Sequence, residues 1–466
     1  MNEILTKIND VMYTYVLIVL LAGVGIYFTI RTKGVQLRLF KDAIRSLMEK
    51  AGTGTDGKKK VSSFQALMIS TASRVGTGNI AGIATAIAAG GPGAVFWMWV
   101  MAVIGGASAF VESTLAQIYK VKDGEGFRGG PSYYMEKALG KRWLGILFSV
   151  LLIICFAYGF NGLQAFNISS AMEYYISDYS NSIYPVLLGI LLAAATAAVI
   201  WGGVHRIGFI TSVMVPVMAT IYILIGLVTM ALHIRELPQV FAMILENAFD
   251  FQAMAGGLAG SAVVIGIKRG LFSNEAGMGS APNASASASV SHPAKQGMVQ
   301  VLSVFIDTLL ICSATAMMLL LSGVQGESGV LDGIPFVQKA ISANVGNWGI
   351  HFITLSIFAF AFSSLIGNYY YAESNILFIK NNKKLLFIFR ITCLLAVFFG
   401  AQADFSMMWN IADITMGCMA TVNILVILVL GNTAMKVLKD YEKQKKEGKN
   451  PVFKAKDVGI ENTECW

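Results

Sequence analysis

The chain has 466 residues, of which 55% are hydrophobic and 13% charged, and its mean hydropathy is +0.64. Soluble domains carry about 25% charged residues, so this composition indicates a polytopic membrane protein rather than a soluble domain. The five cysteines are scattered without a CxxC pair and the four histidines lie far apart, so we expect no disulfide framework and no zinc site.

The first apolar run, residues 11–30, is interpreted as a retained membrane helix. Its length suffices to span about 30 Å of hydrocarbon at 1.5 Å per residue. The preceding leader places Lys7 between Glu3 and Asp10, and no small-residue cleavage site precedes Arg31. These features do not fit a signal peptide.

The chain is expected to be an all-α polytopic membrane protein with about eleven transmembrane helices. The candidate spans lie near 11–30, 63–88, 93–118, 143–170, 183–202, 207–232, 254–272, 299–322, 350–377, 385–402 and 409–432. With the N-terminus outside, 31 of the 35 Lys and Arg fall on the cytoplasmic side. The positive-inside rule therefore predicts a cytoplasmic C-terminus, and the basic runs are topology signals beside lipid, not a nucleic-acid site.

Ten of these spans divide into two sets of five. The predicted organisation is an extra N-terminal helix (1–33), two five-helix repeats (62–232 and 253–432) and a cytoplasmic basic tail (433–466). Because five is odd, the repeats enter the membrane from opposite sides. Each repeat opens with a glycine-interrupted span, which is typical of inverted-repeat transporters whose two broken helices meet at the midplane.

The first interrupted span contains the run Gly76–Gly82, with three glycines in seven residues. Each glycine costs roughly 1 kcal/mol in a helix relative to alanine, so this run favours an unwound helix. Free N–H groups at Thr77, Gly78 and Asn79 suit a carboxylate. The alternative interpretation is close helix packing through small residues.

The same span offers groups for a cation. Freed carbonyls near Ala72 and Val75 suit a hard cation such as Na+. Arg74 lies beside them as a candidate site residue, or as a structural partner of Glu112 or Asp307.

The second interrupted span, residues 260–282, has two interpretations. Lys268 and Arg269 at the end of a span indicate ordinary interface anchoring. Alternatively, Val264–Gly266 unwinds opposite the first break, and the polar segment from Ser273 onward lines or gates the cytoplasmic path.

Other polar side chains occur within predicted spans. Asn161, Gln164 and Asn167 follow one another at intervals of three and share a helix face, with Gln164 predicted to face the cavity. Ser364 and Asn368 share a face of the ninth span, where Ser363 and Ser364 offer hydroxyl oxygens to a small cation. These residues also serve as ordinary interhelical packing groups.

Carboxylates in a membrane are costly and mark candidate functional sites. Glu112, Asp307, Glu373 and Asp413 are the main examples, and Glu373 and Asp413 are placed near interfaces. Asp307, deep in the eighth span, is a candidate for a proton or a cation.

Several common catalytic signatures are missing. The segment GTGTDG (52–57) fits G-x-G-x-x-G but follows no strand, and no G-x-x-x-x-G-K-[ST], G-x-S-x-G or H-E-x-x-H occurs. We therefore expect no enzyme and no cofactor other than a coupling ion.

Several stretches resemble the alanine/glycine:cation symporter family over residues 12–432. They are VGTGNIAGIATAIAAGGPGAVFWMW (75–99), GGPSYYME (129–136), KRGLFSNEAGMGSAP (268–282) and MMWNIAD (407–413). The resemblance implies five-plus-five inverted repeats and uptake of small neutral amino acids coupled to Na+, or in some members to H+.

It also implies residue roles. Amides of Thr77 and Gly78, with Asn79, would hold the substrate carboxylate, and Gln164 with Ile265–Gly266 would complete the pocket. The implied Na+ ligands are the carbonyls of Ala72, Val75 and Phe360 and the hydroxyls of Ser363 and Ser364.

One residue departs from the family pattern. Some alanine-selective relatives carry Trp where this chain has Asn368, and the smaller side chain makes glutamine an alternative substrate to alanine or glycine. The leading hypothesis is a monomeric Na+-coupled symporter in a bacterial-type inner membrane. A channel or sensor is an alternative from another class.

Overall fold

The computed structural model describes residues 2–49, 60–124, 126–250 and 261–466. Helices dominate these residues, which confirms the all-α expectation. The named strands of the described residues form one small antiparallel hairpin. They are β1 (Val121–Asp123) and β2 (Gly126–Arg128), with Val121 paired to Arg128.

The helices up to residue 248 are α1 (Asn2–Val11), α2 (Ile18–Arg31), α3 (Val35–Arg38), α4 (Phe40–Leu47), α5 (Ser63–Arg74), α6 (Ile83–Gly90), α7 (Gly93–Ile118), α8 (Pro131–Lys137), α9 (Arg142–Leu152), α10 (Asn161–Ser170), α11 (Tyr184–Ile200), α12 (Gly203–Leu232) and α13 (Leu237–Ala248).

The helices from residue 261 onward are α14 (Ala262–Asn274), α15 (Pro282–Ser287), α16 (Pro293–Phe305), α17 (Ser313–Leu320), α18 (Gly333–Val345), α19 (Trp348–Ile379), α20 (Lys383–Gly400), α21 (Phe405–Lys446) and α22 (Ala455–Val458).

Wider π-helical turns join several of these helices. They are Met12–Leu17, Gly78–Gly82, Ile153–Phe160 and Ile306–Cys312. Such turns are frequent at functional sites, and they shift the register of a helix and re-aim its side chains. Three of the four lie beside the candidate site described below.

Within the described residues, seven helices are long and apolar enough to cross a membrane. Two shorter apolar helices, Gly78–Gly90 and Tyr184–Ile200, accompany them. A multi-pass membrane protein is therefore supported, whereas the count of eleven spans stays a prediction. Part of the predicted span 254–272 lies outside the described residues.

The order of elements is the same in the two halves. A broken helix (α5–α6, then α14–α15) is followed by a long helix (α7, then α16–α17) and three more (α9–α10, α11 and α12, then α19, α20 and α21). Helix α7 packs on α14 and α16, and α19 packs on α5 and α10. The second half therefore supplies part of the surroundings of the first break.

The segment after α21 folds back onto the loops that join the helices. Phe453 N donates to Ser291 O at 2.9 Å, and Trp466 Nε1 donates to Gln117 O at 2.7 Å. The Lys120 ammonium lies 4.7 Å from the centre of the Trp466 ring. This end of the chain is thus a packed strap rather than a freely solvated basic tail.

Candidate functional site

The first half opens on a helix that breaks after Arg74. Val75 leaves the helix with φ −76° and ψ 88°. Gly76 N donates to Asn79 Oδ1 at 3.0 Å instead of to Ala72 O, the acceptor that a continuous helix would use. The predicted break is present but short, because helical structure resumes at Thr77.

Glycine is required here by close approach of other side chains. A Cβ on Gly76 would overlap Ser364 Oγ and lie 2.9 Å from the Gln164 amide. A Cβ on Gly78 would lie 2.9 Å from the Phe272 ring. Side chains from three other helices therefore contact the exposed backbone directly.

The predicted Na+ ligands converge around the Ser364 hydroxyl. Ser364 Oγ lies 3.0 Å from Ala72 O, 3.3 Å from Val75 O and 3.2 Å from Phe360 O. Ser363 Oγ donates to the same Phe360 carbonyl at 2.8 Å. All of these residues are buried.

These oxygens of Ala72, Val75, Phe360, Ser363 and Ser364 form a cage with more hydrogen-bond acceptors than donors. The Ser364 hydroxyl has one hydrogen for three carbonyls. The first carbonyl, Ala72 O, is deprived of its usual helical donor by the break. A set of neutral oxygens with too few donors fits a hard cation, so the residues present suit Na+.

The amide of Thr77 lies on the other side of the break. Thr77 N donates to Gln164 Oε1 at 3.1 Å. The Thr77 hydroxyl is buried and has no hydrogen-bond partner among the described residues. The amide oxygen of Gln164 thus occupies the position at which the sequence predicts a substrate carboxylate.

Asn79 is committed to other partners rather than to an open pocket. Its Nδ2 donates to Asp307 Oδ1 at 2.7 Å, while its Oδ1 accepts from Gly76 N. Ser273 Oγ donates to Asp307 Oδ2 at 2.6 Å. Asp307 is buried next to the break, and there it accepts hydrogen bonds.

Asn368 also lies at the break. Ser73 Oγ donates to Asn368 Oδ1 at 2.7 Å, and Asn368 Nδ2 donates to Asn161 Oδ1 at 3.1 Å. Asn167, by contrast, bonds to Leu163 O of its own helix at 2.8 Å. The amide face predicted on this helix therefore brings Asn161 and Gln164 to the site, but not Asn167.

The predicted position of the second break is wrong. Residues 264–266 lie inside α14. The helix ends about two turns later, where Glu275 has φ 55°, Gly277 φ 84° and Gly279 φ 87°. Three residues in the left-handed region end a helix more effectively than a glycine flanked by helix-forming residues.

Ile265 and Gly266 contact the first half through packing. A Cβ on Gly266 would lie 2.5 Å from Ala94 O, and one on Gly90 would lie 2.9 Å from Ile265 Cβ. Gly266 is thus a glycine of close helix packing. Neither residue is exposed on unwound backbone.

The charged groups predicted at interfaces form ion pairs, and the cluster at Asp413 is buried. Lys268 lies 2.7 Å from Asp413, and Arg269 binds both oxygens of that carboxylate at 3.1 and 2.9 Å. Glu373 is bonded to Arg390 at 3.0 Å. The span does not end at Lys268 and Arg269, because α14 continues to Asn274. The depth of these two residues and of Asp413 in the membrane stays a prediction.

Arg74 pairs with neither of its predicted partners. Its Nη1 donates to Gln300 Oε1 at 3.3 Å, and Nε and Nη2 are buried without a hydrogen-bond partner among the described residues. Glu112 instead accepts from Gly277 N at 3.2 Å and from Gly279 N at 3.0 Å. It therefore fixes the backbone of the second break.

Sequence reasoning missed the aromatic side chains above the first break. The Phe272 ring lies 4.8 Å from Phe160 and 5.1 Å from Trp409, between ring centres. The Arg269 guanidinium lies 4.2 Å from the Trp409 ring. Phe272 and Trp409 both fall in stretches that carry the family resemblance. That resemblance was the sequence signal by which they could have been identified as site residues.

The whole chain matches known proteins of one kind. The model of the sodium:alanine symporter family matches residues 1–455. Amino-acid carrier protein AlsT of Bacillus subtilis is 49% identical, with 100% of this chain and 97% of that protein covered. A probable sodium/glutamine symporter GlnT of the same organism is 48% identical over 100% and 97%. Sodium/alanine symporter AgcS of Methanococcus maripaludis is 37% identical over 96% and 99%.

Solved structures show the same fold at low sequence identity. A crystal structure of MhsT in complex with L-phenylalanine has a TM-score of 0.56 and 15% identity, covering 84% of this chain and 90% of that one. A manganese transporter of Eremococcus coleocola has a TM-score of 0.51 and 13% identity, covering 84% and 81%. These neighbours are transporters with inverted repeats, which confirms the predicted fold class. By its family match and its relatives, the chain belongs to the sodium:alanine symporter family.

Proposed function

We propose that this protein is a sodium-coupled symporter of a small neutral amino acid, alanine or glycine, which works by alternating access. It acts as a monomer in the inner membrane, with its N-terminus outside and its C-terminus in the cytoplasm. Relatives named as a sodium/alanine symporter and as an amino-acid carrier support the substrate class.

One observation carries the proposal. The oxygen cage around Ser364 and the amide of Thr77 lie on the two sides of the same short break. Backbone from Ala72 to Thr77 therefore contributes both to the cation site and to the carboxylate site. Binding of Na+ orders the carbonyls and so positions the amides, which couples the two ligands.

The incoming carboxylate replaces the Gln164 oxygen at Thr77 N. A carboxylate is the stronger acceptor, and it also reaches the unpartnered Thr77 hydroxyl. The positive end of the helix that follows adds attraction. Gln164 and Phe272 crowd the backbone at Gly76 and Gly78, which favours a short substrate side chain.

Uptake into proteoliposomes tests this function. Labelled alanine is expected to accumulate when Na+ is present outside and to stop accumulating when choline replaces it, with no proton gradient imposed. Uptake that is unchanged in choline would rule out sodium coupling. Conductance that does not saturate with substrate would indicate a channel.

Glutamine is the second candidate substrate. A relative 48% identical is named a probable sodium/glutamine symporter, and Asn368 at the break is smaller than a tryptophan. Competition of alanine uptake by a panel of neutral amino acids distinguishes the two. Stronger competition by glutamine than by alanine and glycine would reverse the preference proposed here.

A further inference from the structure

A line of buried hydrogen-bonded side chains runs from α20 towards the second break. At its far end, the Cys393 thiol donates to Ala157 O at 3.7 Å. Cys393 Sγ accepts from Asn161 Nδ2 at 3.3 Å. Because the Asn161 amide nitrogen donates to Cys393, the Asn161 amide oxygen is left to accept from Asn368.

The line continues through Asn368 to Ser73 and Glu275. Asn368 Nδ2 donates to Asn161 Oδ1 at 3.1 Å, which leaves Asn368 Oδ1 as an acceptor. Ser73 Oγ lies 2.7 Å from Asn368 Oδ1 and 3.0 Å from Glu275 Oε1. Asn161, Asn368 and Glu275 are at most 1% exposed.

With the amides of Asn161 and Asn368 oriented in this way, counting hydrogens gives the form of the Glu275 side chain. A serine hydroxyl has one hydrogen, and the shorter contact with Asn368 takes it. The contact between Ser73 and Glu275 Oε1 is then a hydrogen bond only if the carboxyl is protonated and donates to Ser73. The other oxygen, Oε2, accepts from Ser280 Oγ at 2.6 Å.

Glu112 provides a contrast on the same break. Its carboxylate accepts from the N–H groups of Gly277 and Gly279 and from Asn423 Nδ2, the last at 2.8 Å. Three N–H donors satisfy an ionised carboxylate. The two glutamates at this break therefore differ in their partners, which are three N–H groups for Glu112 and two serine hydroxyls for Glu275.

The side chains along this line from Cys393 to Glu275 can also form a complete set of hydrogen bonds among themselves with every donor and acceptor role reversed. If both amides turn over, Cys393 donates to Asn161, Asn161 to Asn368, and Asn368 to Ser73. The Ser73 hydrogen is then free for an ionised Glu275. The proton on Glu275 thus selects one of two orientations of the Asn368 amide at the first break.

The charged and titratable groups that face Glu275 come from four elements. They are Arg74 of α5, Asp307 of the π-helical turn Ile306–Cys312, Tyr371 of α19 and Cys155 of the π-helical turn Ile153–Phe160. Two nitrogens of Arg74 have no hydrogen-bond partner among the described residues, and the Tyr371 hydroxyl lies near Ser73. The positive charge of Arg74 favours an ionised Glu275.

We propose that Glu275 is a proton-binding site of the transporter, and that gain or loss of its proton reverses the hydrogen-bond line through Ser73 and Asn368. The effect on transport, but not the proton site itself, rests on the proposed function. Loss of the proton reorients an amide beside the predicted substrate pocket, so uptake depends on pH.

Infrared difference spectroscopy of the purified full-length protein tests the site without requiring transport. In a pH titration, the wild type is expected to show a carbonyl band of a protonated carboxyl that disappears on ionisation. Glu275→Gln should lose this band. Ser73→Ala should keep the band and shift its frequency, because the acceptor of the carboxyl proton is removed.

Two matched variants separate Glu275 from other carboxyls. Glu373→Gln and Asp307→Asn should both keep the titrating band. If the band survives in Glu275→Gln, or is lost in Asp307→Asn instead, the assignment is overturned. Ser73→Ala with an unchanged band frequency would equally contradict it, and that variant keeps the proposal testable if Glu275→Gln does not fold.

The consequence for transport is measured separately. In proteoliposomes, the pH dependence of alanine uptake should flatten in Glu275→Gln and persist in Glu373→Gln. A wild type that shows the infrared band but no Na+-dependent uptake would contradict the proposed function and leave the proton site intact. A wild type that shows Na+-dependent uptake but no infrared band would support the proposed function and contradict the proton site.

Discussion

Ser364 lies at the centre of the proposed cation cage. Its hydroxyl contacts carbonyls from the first break and from its own helix. We expect Ser364→Ala to raise the Na+ concentration for half-maximal uptake. A bond to a charged group is worth about 1.5–3 kcal/mol, which corresponds to about tenfold to hundredfold in that concentration.

The matched control for Ser364 lies on the same helix. Ser374 is also buried, and its hydroxyl has no hydrogen-bond partner among the described residues. Ser374→Ala should leave the Na+ dependence of uptake as in the wild type. Equal behaviour of the two variants would remove Ser364 from the cation site.

Gly76 tests the close approach at the first break. In Gly76→Ala the new methyl group must displace the side chain of Ser364 or of Gln164. Such overpacking costs about 1–3 kcal/mol, so affinities for Na+ and for alanine should fall together in uptake assays.

Gly23→Ala serves as the comparison for Gly76. No heavy atom lies within 4 Å of a Cβ built on Gly23, and the residue is inside α2. Uptake should therefore be unchanged and stability slightly higher, since alanine is the better helix former by about 1 kcal/mol. Unaltered affinities in Gly76→Ala would show that the break is not a binding element.

At the scale of elements, α14 depends on the ion cluster at Asp413. Asp413→Asn would leave Lys268 and Arg269 buried beside a neutral amide. Loss of one partner of a buried ion pair costs about 3–5 kcal/mol, so we expect a marked fall in the unfolding temperature of the purified protein.

A pair at the surface gives the reference for that effect. Arg142 and Glu136 form an ion pair in which the Arg142 side chain is 52% exposed. Glu136→Gln should change stability by no more than about 1 kcal/mol. If both variants melted alike, the Asp413 cluster would not be what holds α14 in place.

The two broken helices show what a sequence can and cannot predict. The first break was predictable because three glycines fall within the seven residues 76–82 of a hydrophobic span, with Thr77 and Asn79 between them. The second was misplaced because Gly266 looks similar in sequence, yet its role is close packing on α7. Only the backbone shows that the left-handed residues begin at Glu275.

Site partners distant in sequence were the harder part. Ser364, Ala72 and Val75 were predicted together, and they meet in the structure. The hydrogen bond between Asn79 and Asp307 was not predicted, nor was the one between Asn368 and Ser73. They depend on which way each helix face turns, and π-helical turns such as Ile306–Cys312 shift that register without a sequence signal.

At the scale of the whole molecule, the C-terminal strap connects distant segments. Trp466 bonds to Gln117 and lies over Lys120, while Phe453 bonds to Ser291. We expect Trp466→Ala to loosen the strap. Since a cation–π contact and a hydrogen bond are each worth about 1 kcal/mol, the released fraction should rise by about tenfold or more.

The half-buried Cys465 reports on that release. In a Cys418→Ser background, which removes the other cysteine that is not buried, Trp466→Ala should raise the rate of maleimide labelling at Cys465. Val452→Ala, at an exposed side chain, is the control and should label at the wild-type rate. Equal rates in all three proteins would mean that the indole does not hold the strap.

The cation cage has a further consequence for how the molecule behaves when no amino acid is present. Its oxygens come from Ala72 and Val75 in the first half and from Phe360 and Ser364 in the second. An ion bound there would hold the two halves together and stabilise the folded protein for as long as it is bound. Once Na+ exceeds its dissociation constant, each tenfold increase should add about 1.4 kcal/mol of resistance to thermal denaturation. We therefore expect the detergent-solubilised protein to survive longer when the purification buffer contains sodium.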